Sequence, residues 1–201
     1  MRLITSIPEM KAFSRATRKE GKVIAFVPTM GYLHEGHERL LTEAGRLGDV
    51  VVLSVFVNPS QFGLNGDFLE YPKDMERDKT IAIEHGVEVL FAPEVFEMYP
   101  EGYGTFVDVP GLADKLCGKS RPGHFRGVAT IVAKLFNIVM PHKAIFGLKD
   151  YQQQLVIKRM AKDMDMDVEV VAIETVREAD GLAMSSRNVY LSASERRVAA
   201  I

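Results

Sequence analysis

The fold this sequence predicts is a parallel α/β sheet with helices packed on both faces, and three observations carry it. Apolar, β-branched runs such as Val23–Val27 and Val50–Val57 lack the polar alternation of a half-exposed strand, as strands buried on both faces do. Segments of helical pattern separate these runs. Gly and Pro mark the joints, at Pro28, Gly31 and Gly36 and again at Asn58-Pro59.

Taken in order, Val23–Val27 reads as the first buried strand, with a loop through Pro28, Gly31 and Gly36 and a helix from about His37 to Leu47. Val50–Val57 is the second strand, and a polar helix over roughly Asp74–His85 leads to the third, Val87–Phe91. An irregular Gly/Pro-rich region, Tyr99–Arg121, precedes an apolar helix around Thr130–Val139 and the short strand Ala144–Phe146. A helix over about Tyr151–Met164 then leads to the strand Asp167–Ile173. Strands alternating with helices give a doubly wound, Rossmann-like α/β fold, in which ligands sit outside the carboxyl ends of the strands. The chain ends in a helix-like stretch, Ser194–Ile201, read here as the start of an unfinished second unit. The expected division is 1–175 for the nucleotide-binding unit and 176–201 for the start of the second.

Composition excludes several functional classes. With 25 Lys+Arg against 27 Asp+Glu in 201 residues, the net charge is −2, without the basic excess that phosphate-backbone binding to nucleic acid calls for. Apolar runs such as Val50–Val57 fall far short of a bilayer span, and the polar N-terminus lacks the apolar core of a secretory leader. A single cysteine, Cys117, cannot form an internal disulfide, and a cytoplasmic location is the expectation.

The polar segments that follow the strands carry the chemistry. Ala113–Ser120 resembles a phosphate loop with its first Gly replaced, but Arg121-Pro122-Gly123 follows at once and denies it the helix whose N-terminus would face phosphates. His34-Glu35-Gly36-His37 opens a helix after a strand. As a metal pair it lacks further nearby Cys or His, and it is one residue too short for the His-Glu-x-x-His motif. Phosphate binding is the alternative: the glycines let the backbone approach an anion, the helix start supplies N–H groups, and two imidazoles add donors. Met184-Ser185-Ser186-Arg187 is by itself a polar loop. Paired with the histidine turn, it resembles the second phosphate motif of the nucleotidyltransferase superfamily that includes class I aminoacyl-tRNA synthetases, with Arg187 supplying the cation.

Further stretches narrow the resemblance. Val27–Gly31, Phe56–Phe62, Arg121–Gly127, Phe146–Gln153 and Arg177–Asn188, together with the histidine turn, resemble the pantoate–β-alanine ligase family in order and spacing over essentially the whole chain. Leu148 departs from the Glu common there, and family members continue into a fuller C-terminal domain. The resemblance implies ATP-dependent condensation of pantoate with β-alanine through a pantoyl adenylate, in a cytoplasmic homodimer that uses Mg²⁺. It places His34, His37, Lys149, Ser185, Ser186 and Arg187 on the ATP phosphates as the catalytic group. Met30, Gly147, Asp150, Val176 and Met184 complete the ATP site, with Asp150 on the ribose. Gln61 and Gln153 would hydrogen-bond pantoate, lined also by Pro28, Thr29, Met30, Asn58 and Tyr71. Asp78 would sit near the metal, Arg121 would be a loop cation, and His124 would be structural or catalytic.

Two other readings share these motifs. A nucleotidyltransferase that adenylates a phosphorylated substrate would need no amine. A truncated, weakly active or inactive ATP- and pantoate-binding, dimerising domain would bind without turnover.

Overall fold

In the computed structural model, which describes residues 1–62 and 68–200, six strands form one parallel sheet in the order β1-β4-β3-β2-β5-β6. The elements are β1 (Arg2–Ile4), α1 (Ile7–Lys19), β2 (Ile24–Thr29), α2 (Glu35–Leu47), β3 (Val50–Val55), α3 (Met75–Glu84) and β4 (Val89–Phe91). They continue through α4 (Val95–Met98), α5 (Cys117–Ser120), α6 (His124–Val139), β5 (Lys143–Gly147), α7 (Tyr151–Asp163), β6 (Glu169–Ile173) and α8 (Ala193–Ala199). Short 3-10 turns lie at Pro59–Gln61, Leu148–Asp150 and Ser186–Tyr190. No helix among the described residues is long and apolar enough to cross a membrane.

β1, α1 and the single-turn α4 lie outside the sequence expectation, and α5 falls in the stretch read as irregular. β1 is three residues long with only Ile4 buried, so it carries no strand pattern of its own and exists because β4 pairs with it. α1 starts with Pro8 in its first turn, has Glu9 near its N-terminus and Arg18 and Lys19 near its C-terminus, charges that complement the helix dipole. The apolar helix expected around Thr130 begins six residues earlier, at His124, behind the left-handed Gly123. α5 stops at Ser120, as the Arg121-Pro122-Gly123 break requires, so no helix continues from that phosphate-loop look-alike.

Alternation along each strand divides the core. Ile24 and Phe26 of β2, with Val50, Val52, Val89 and Phe91, pack against α1, α6 and α7. Ala25 and Val27, with Val51, Leu53, Leu90 and Ile145, pack against α2 and α3. Every one of these strand residues is buried, which explains the continuous apolar runs.

The order reverses between β2 and β5: β2 is followed by β3 and β4 on one side, and β5 by β6 on the other. Here the sheet also opens. β2 pairs with β5 only through Ala25 and Phe26, whereas β5 stays paired with β6 as far as Gly147. Ile24 accepts a hydrogen bond from His142 on the β5 side and Thr29 accepts one from Phe56 on the β3 side. Alternation therefore turns Pro28 toward β5, where it has no N–H to extend the ladder. The splayed strands leave a crevice at the switch point.

Candidate active site

The crevice is a cavity of about 230 Å³ above the carboxyl ends of β2, β5 and β6. Its chemistry starts at the joint between β2 and α2. Gly31 and Tyr32 both take positive φ, 85° and 54°. Gly31 has no room for a side chain, since a Cβ there would lie 2.8 Å from the Asp78 carboxylate and from Val55. Asp78, only 1% exposed, accepts the N–H groups of Tyr32 at 2.9 Å and Leu33 at 2.7 Å. Burial raises its pKa, and the two N–H bonds pull it back.

The turn so held delivers the two histidines as a reciprocal cap on α2. His34 Nδ1 accepts the Gly36 N–H at 3.1 Å, and His37 Nδ1 accepts the His34 N–H at 3.3 Å. The ring centroids are 4.1 Å apart. Burial, with the Lys149 and Arg77 cations, lowers His34 to about 4. Burial, with His34 and Lys149, lowers His37 to about 3. Both rings are therefore neutral at pH 7. Because Nδ1 is an acceptor in each, the proton sits on Nε2, and each ring has one N–H left to donate to a ligand.

His124 has the opposite tautomer. Its Nδ1 donates to the Gln61 carbonyl at 2.9 Å, and burial lowers its pKa despite that bond.

The second phosphate motif reaches the same place from the far end of the chain. After β6, Met184 N–H bonds to Val176 O and Glu178 N–H to Leu182 O, closing a hairpin around Gly181. Arg196 of α8 ties that hairpin down through Asp180 at 2.8 Å and through Glu178. Beyond it, Ser185 Oγ accepts the Arg187 N–H at 3.3 Å and so starts the turn Ser186–Tyr190. Buried Ser186 shares a 2.9 Å hydrogen bond with Tyr71. The Arg187 guanidinium lies 5.2 Å from the Tyr71 ring and 5.9 Å from the Phe62 ring. A Cβ on Gly36 would meet His34 at 2.8 Å and Met184 at 3.8 Å, so the two motifs touch there and only glycine fits. Lys149 and Asp150, 3.7 Å apart, arrive from the end of β5.

The structure gathers nearly all the sequence-predicted residues around this one cavity. His34, His37, Lys149, Ser185, Ser186 and Arg187 line it, with Met30, Gly147, Asp150, Val176 and Met184. So do Gln61, Gln153, Pro28, Thr29, Asn58 and Tyr71, and also Arg121 and His124. Of the glutamines in α7, Gln153 faces the cavity, Gln154 is buried in the core, and Gln152 bonds the Leu112 and Lys115 carbonyls.

Asp78, expected near the metal, does not line the cavity. Its two oxygens accept the Tyr32 and Leu33 N–H groups, so it anchors the turn. No group of three or more His, Cys, Asp or Glu side chains fit to hold a metal is found among the described residues.

Sequence reasoning missed the apolar floor, made by Val128, Ile131, Val132 and Leu135 of α6. Their i, i+3, i+4, i+7 spacing marks one helix face, but α6 is apolar almost all round and the stripe does not stand out. It also missed Tyr99, whose hydroxyl bonds Asn58 at 2.7 Å from behind the cavity wall.

With this geometry in view, the comparisons with known proteins agree. The family model for pantoate-beta-alanine ligase matches residues 2–201. A pantothenate synthetase of Heliobacterium modesticaldum is 61% identical over 201 residues, all of this chain and 72% of the relative. One of Pelotomaculum thermopropionicum is 60% identical over 201 residues, 71% of its length. The crystal structure of pantothenate synthetase from Thermus thermophilus superposes with a TM-score of 0.94 at 52% identity, covering 100% of this chain and 71% of that one. A pantoate-beta-alanine ligase from Francisella tularensis, complexed with beta-gamma ATP and beta-alanine, superposes with a TM-score of 0.94 at 38% identity, covering 100% of this chain and 77% of that one. The chain belongs to the pantoate-beta-alanine ligase family.

Proposed function

We propose that this chain carries the ATP- and pantoate-binding site of an enzyme that joins pantoate to β-alanine through a pantoyl adenylate. One observation carries the reading: two neutral imidazoles with outward N–H groups, Lys149 and the Met184–Arg187 loop converge on a cavity whose other wall holds Gln61 and Gln153. Phosphates fit the first wall, and a small hydroxy acid fits the amide-bearing second wall over the apolar floor.

In the first half-reaction an oxygen of the pantoate carboxylate bonds to the α-phosphorus, the bridging P–O bond to the β-phosphate breaks, and pyrophosphate leaves. His34 and His37 donate Nε2–H to phosphate oxygens. Lys149 and Arg187 balance the charge that builds there, and the hydroxyls of Ser185 and Ser186 complete the shell with Met184 against the nucleotide. Asp150 accepts from the ribose hydroxyls, beside Gly147, Val176 and Met30. The chain supplies position and electrostatics and needs no covalent nucleophile. In the second half-reaction the β-alanine amine, having lost a proton to water, bonds to the acyl carbon. The acyl C–O bond then breaks, AMP leaves, and the nitrogen gives a second proton to water as the amide forms.

Magnesium enters this reading as the counterion of the ATP phosphates, which it binds with few protein carboxylates. The described residues offer it no group of three or more His, Cys, Asp or Glu ligands. The resemblance further supports a homodimer, which light scattering tests, and a boundary near Thr175, after which residues 176–201 begin a second unit.

Pantoate-dependent exchange of labelled pyrophosphate into ATP tests the proposal; no exchange would overturn it. His37→Ala is expected to slow exchange at least about tenfold, the usual loss for one transition-state donor. A second reading has its own support, since the chain spans 71–72% of these relatives' length: binding without turnover. Calorimetry that finds ATP and pantoate bound, beside an absence of exchange, would select it.

A further inference from the structure

We propose that Tyr99 is a positioning residue for the acid substrate: through Asn58 it fixes the side-chain amide of Gln61 with its N–H₂ end toward the cavity. The idea rests on the reading above that Gln61 contacts pantoate.

The argument is one of hydrogen-bond polarity. Asn58 is 2% exposed, and its amide has no freedom in orientation. Its Oδ1 faces the Ser60 N–H at 3.3 Å, a group that can only donate, and its Nδ2 faces the Gly127 carbonyl at 3.2 Å, a group that can only accept. The Tyr99 hydroxyl at 2.7 Å and the Ser60 hydroxyl at 2.9 Å crowd the same Oδ1. The second Nδ2 proton goes to Gln61 Oε1 at 3.1 Å, so Gln61 must turn its oxygen to Asn58. That leaves Gln61 Nε2 near the Met30 sulfur at 3.2 Å, a weak acceptor readily given up for a better one.

Each supporting group is itself held. Burial pushes the Tyr99 phenol up to about 12, so it stays a hydroxyl donor at any working pH. Lys134 covers its outer face at 5.6 Å, and the Tyr103 ring packs at 5.0 Å. The Gln61 backbone is pinned by His124 at 2.9 Å. A Cβ at Gly127 would fall 2.2 Å from the Ser60 carbonyl, so α6 lies directly on this turn.

The consequence is selectivity. Gln61 presents a donor, so it recognises an accepting oxygen, hydroxyl or carboxylate, on the acid, and it discriminates against a substrate that offers only an N–H or a C–H at that place.

The test is a cycle of Tyr99→Phe, Gln61→Ala and the double variant, reading the dissociation constant for pantoate and, separately, for ATP. Tyr99→Phe is expected to weaken pantoate at least about fivefold, one hydrogen bond's worth, while ATP binding and the melting temperature stay close to the parent. In the Gln61→Ala background the same change is expected to have less than about a twofold effect, because the two act through one contact. Equal, additive losses in both backgrounds would overturn the relay and leave Tyr99 a packing residue. Should Tyr99→Phe fail to fold, Ser60→Ala, which removes the other hydroxyl from Asn58 Oδ1, carries the same cycle. An unchanged dissociation constant in Gln61→Ala, or no pantoate binding by the parent chain, would sink the functional reading. The relay is then read from the Gln61 side-chain N–H₂ resonances: a shift on Tyr99→Phe supports it, and unmoved resonances overturn it.

Discussion

At the scale of single residues, the site works by fixing which atom carries a proton. His34 and His37 cap one helix with Nδ1 and thereby leave Nε2–H as the outward donor, the phosphate contact proposed above, while desolvation keeps both rings uncharged. Neutral donors stabilise charge that develops on a phosphate without the desolvation cost of holding two imidazolium ions side by side. Ring ¹⁵N spectra should show the Nε2–H tautomer at both positions from pH 8 to pH 5; protonation near the ordinary value of about 6.5 would contradict this. Asp78 acts on the same rings one step removed. Asp78→Asn replaces one carboxylate oxygen by a donor that faces a backbone N–H, so it should cost about 1–3 kcal/mol of stability by chemical denaturation. It should leave the magnesium dependence of pyrophosphate exchange unmoved, and a changed dependence would restore Asp78 as a metal ligand.

At the scale of elements, the cavity exists because neighbours diverge or press close at chosen points. Pro28 ends the β2–β5 ladder and opens the crevice, and α6 closes its floor with an apolar face. Gly127 of α6 lies hard against the turn Pro59–Gln61. Gly127→Ala drives a Cβ into backbone, so α6 or the turn must shift. The expected cost is about 1–3 kcal/mol, a fall of roughly 2–12 °C in melting temperature, with pantoate affinity falling more than ATP affinity. Equal losses for both ligands would mean that the turn does not serve the acid alone. The sequence reads these elements unevenly. Core strands such as Val50–Val55 declare themselves by a nearly unbroken run of apolar, mostly β-branched residues, whereas β1 depends on β4, a partner far along the chain, and α6 starts on the left-handed backbone of Gly123.

At the scale of the whole molecule, acid stability follows from the buried imidazoles. His34, His37, His124 and His142 all have lowered pKa values, with burial the leading cause in each. The unfolded chain takes up protons near pH 6.5 and the native one does not, so the contribution of these groups is complete above about 6.5 and is lost as pH falls. The loss continues to about 4 for His34 and about 3 for His37. Each such histidine removes up to about 1.4 kcal/mol per pH unit within its window. Asp78, with its raised pKa, acts in the opposite sense, favouring the fold as pH falls, and the four histidines act together against it. Urea midpoints are expected to fall steadily from pH 7 to pH 5, and a flat profile would mean that these rings titrate normally in the fold. The near-zero net charge of the chain has no bearing on this, since the proposed anion recognition involves only a few groups around one cavity.

By itself the sequence determined the parallel α/β class, the order of the core strands along the chain and the residue types of both phosphate motifs. Local periodicity, turn residues and short spacings carry that information within a few neighbouring positions. Only the tertiary structure decided that His34 and His37 hold their protons on Nε2, that Asp78 serves the backbone of the turn, and that Tyr99 stands behind Asn58 and Gln61. The histidine tautomers rest on bonds two and three positions apart that form once the turn closes. The other two outcomes depend on hydrogen-bond polarity between residues about forty positions apart, as Tyr99 is from Asn58 and Asp78 from Tyr32. Which atom donates is settled by the partner that packing brings to it, and pattern along the chain does not record that partner.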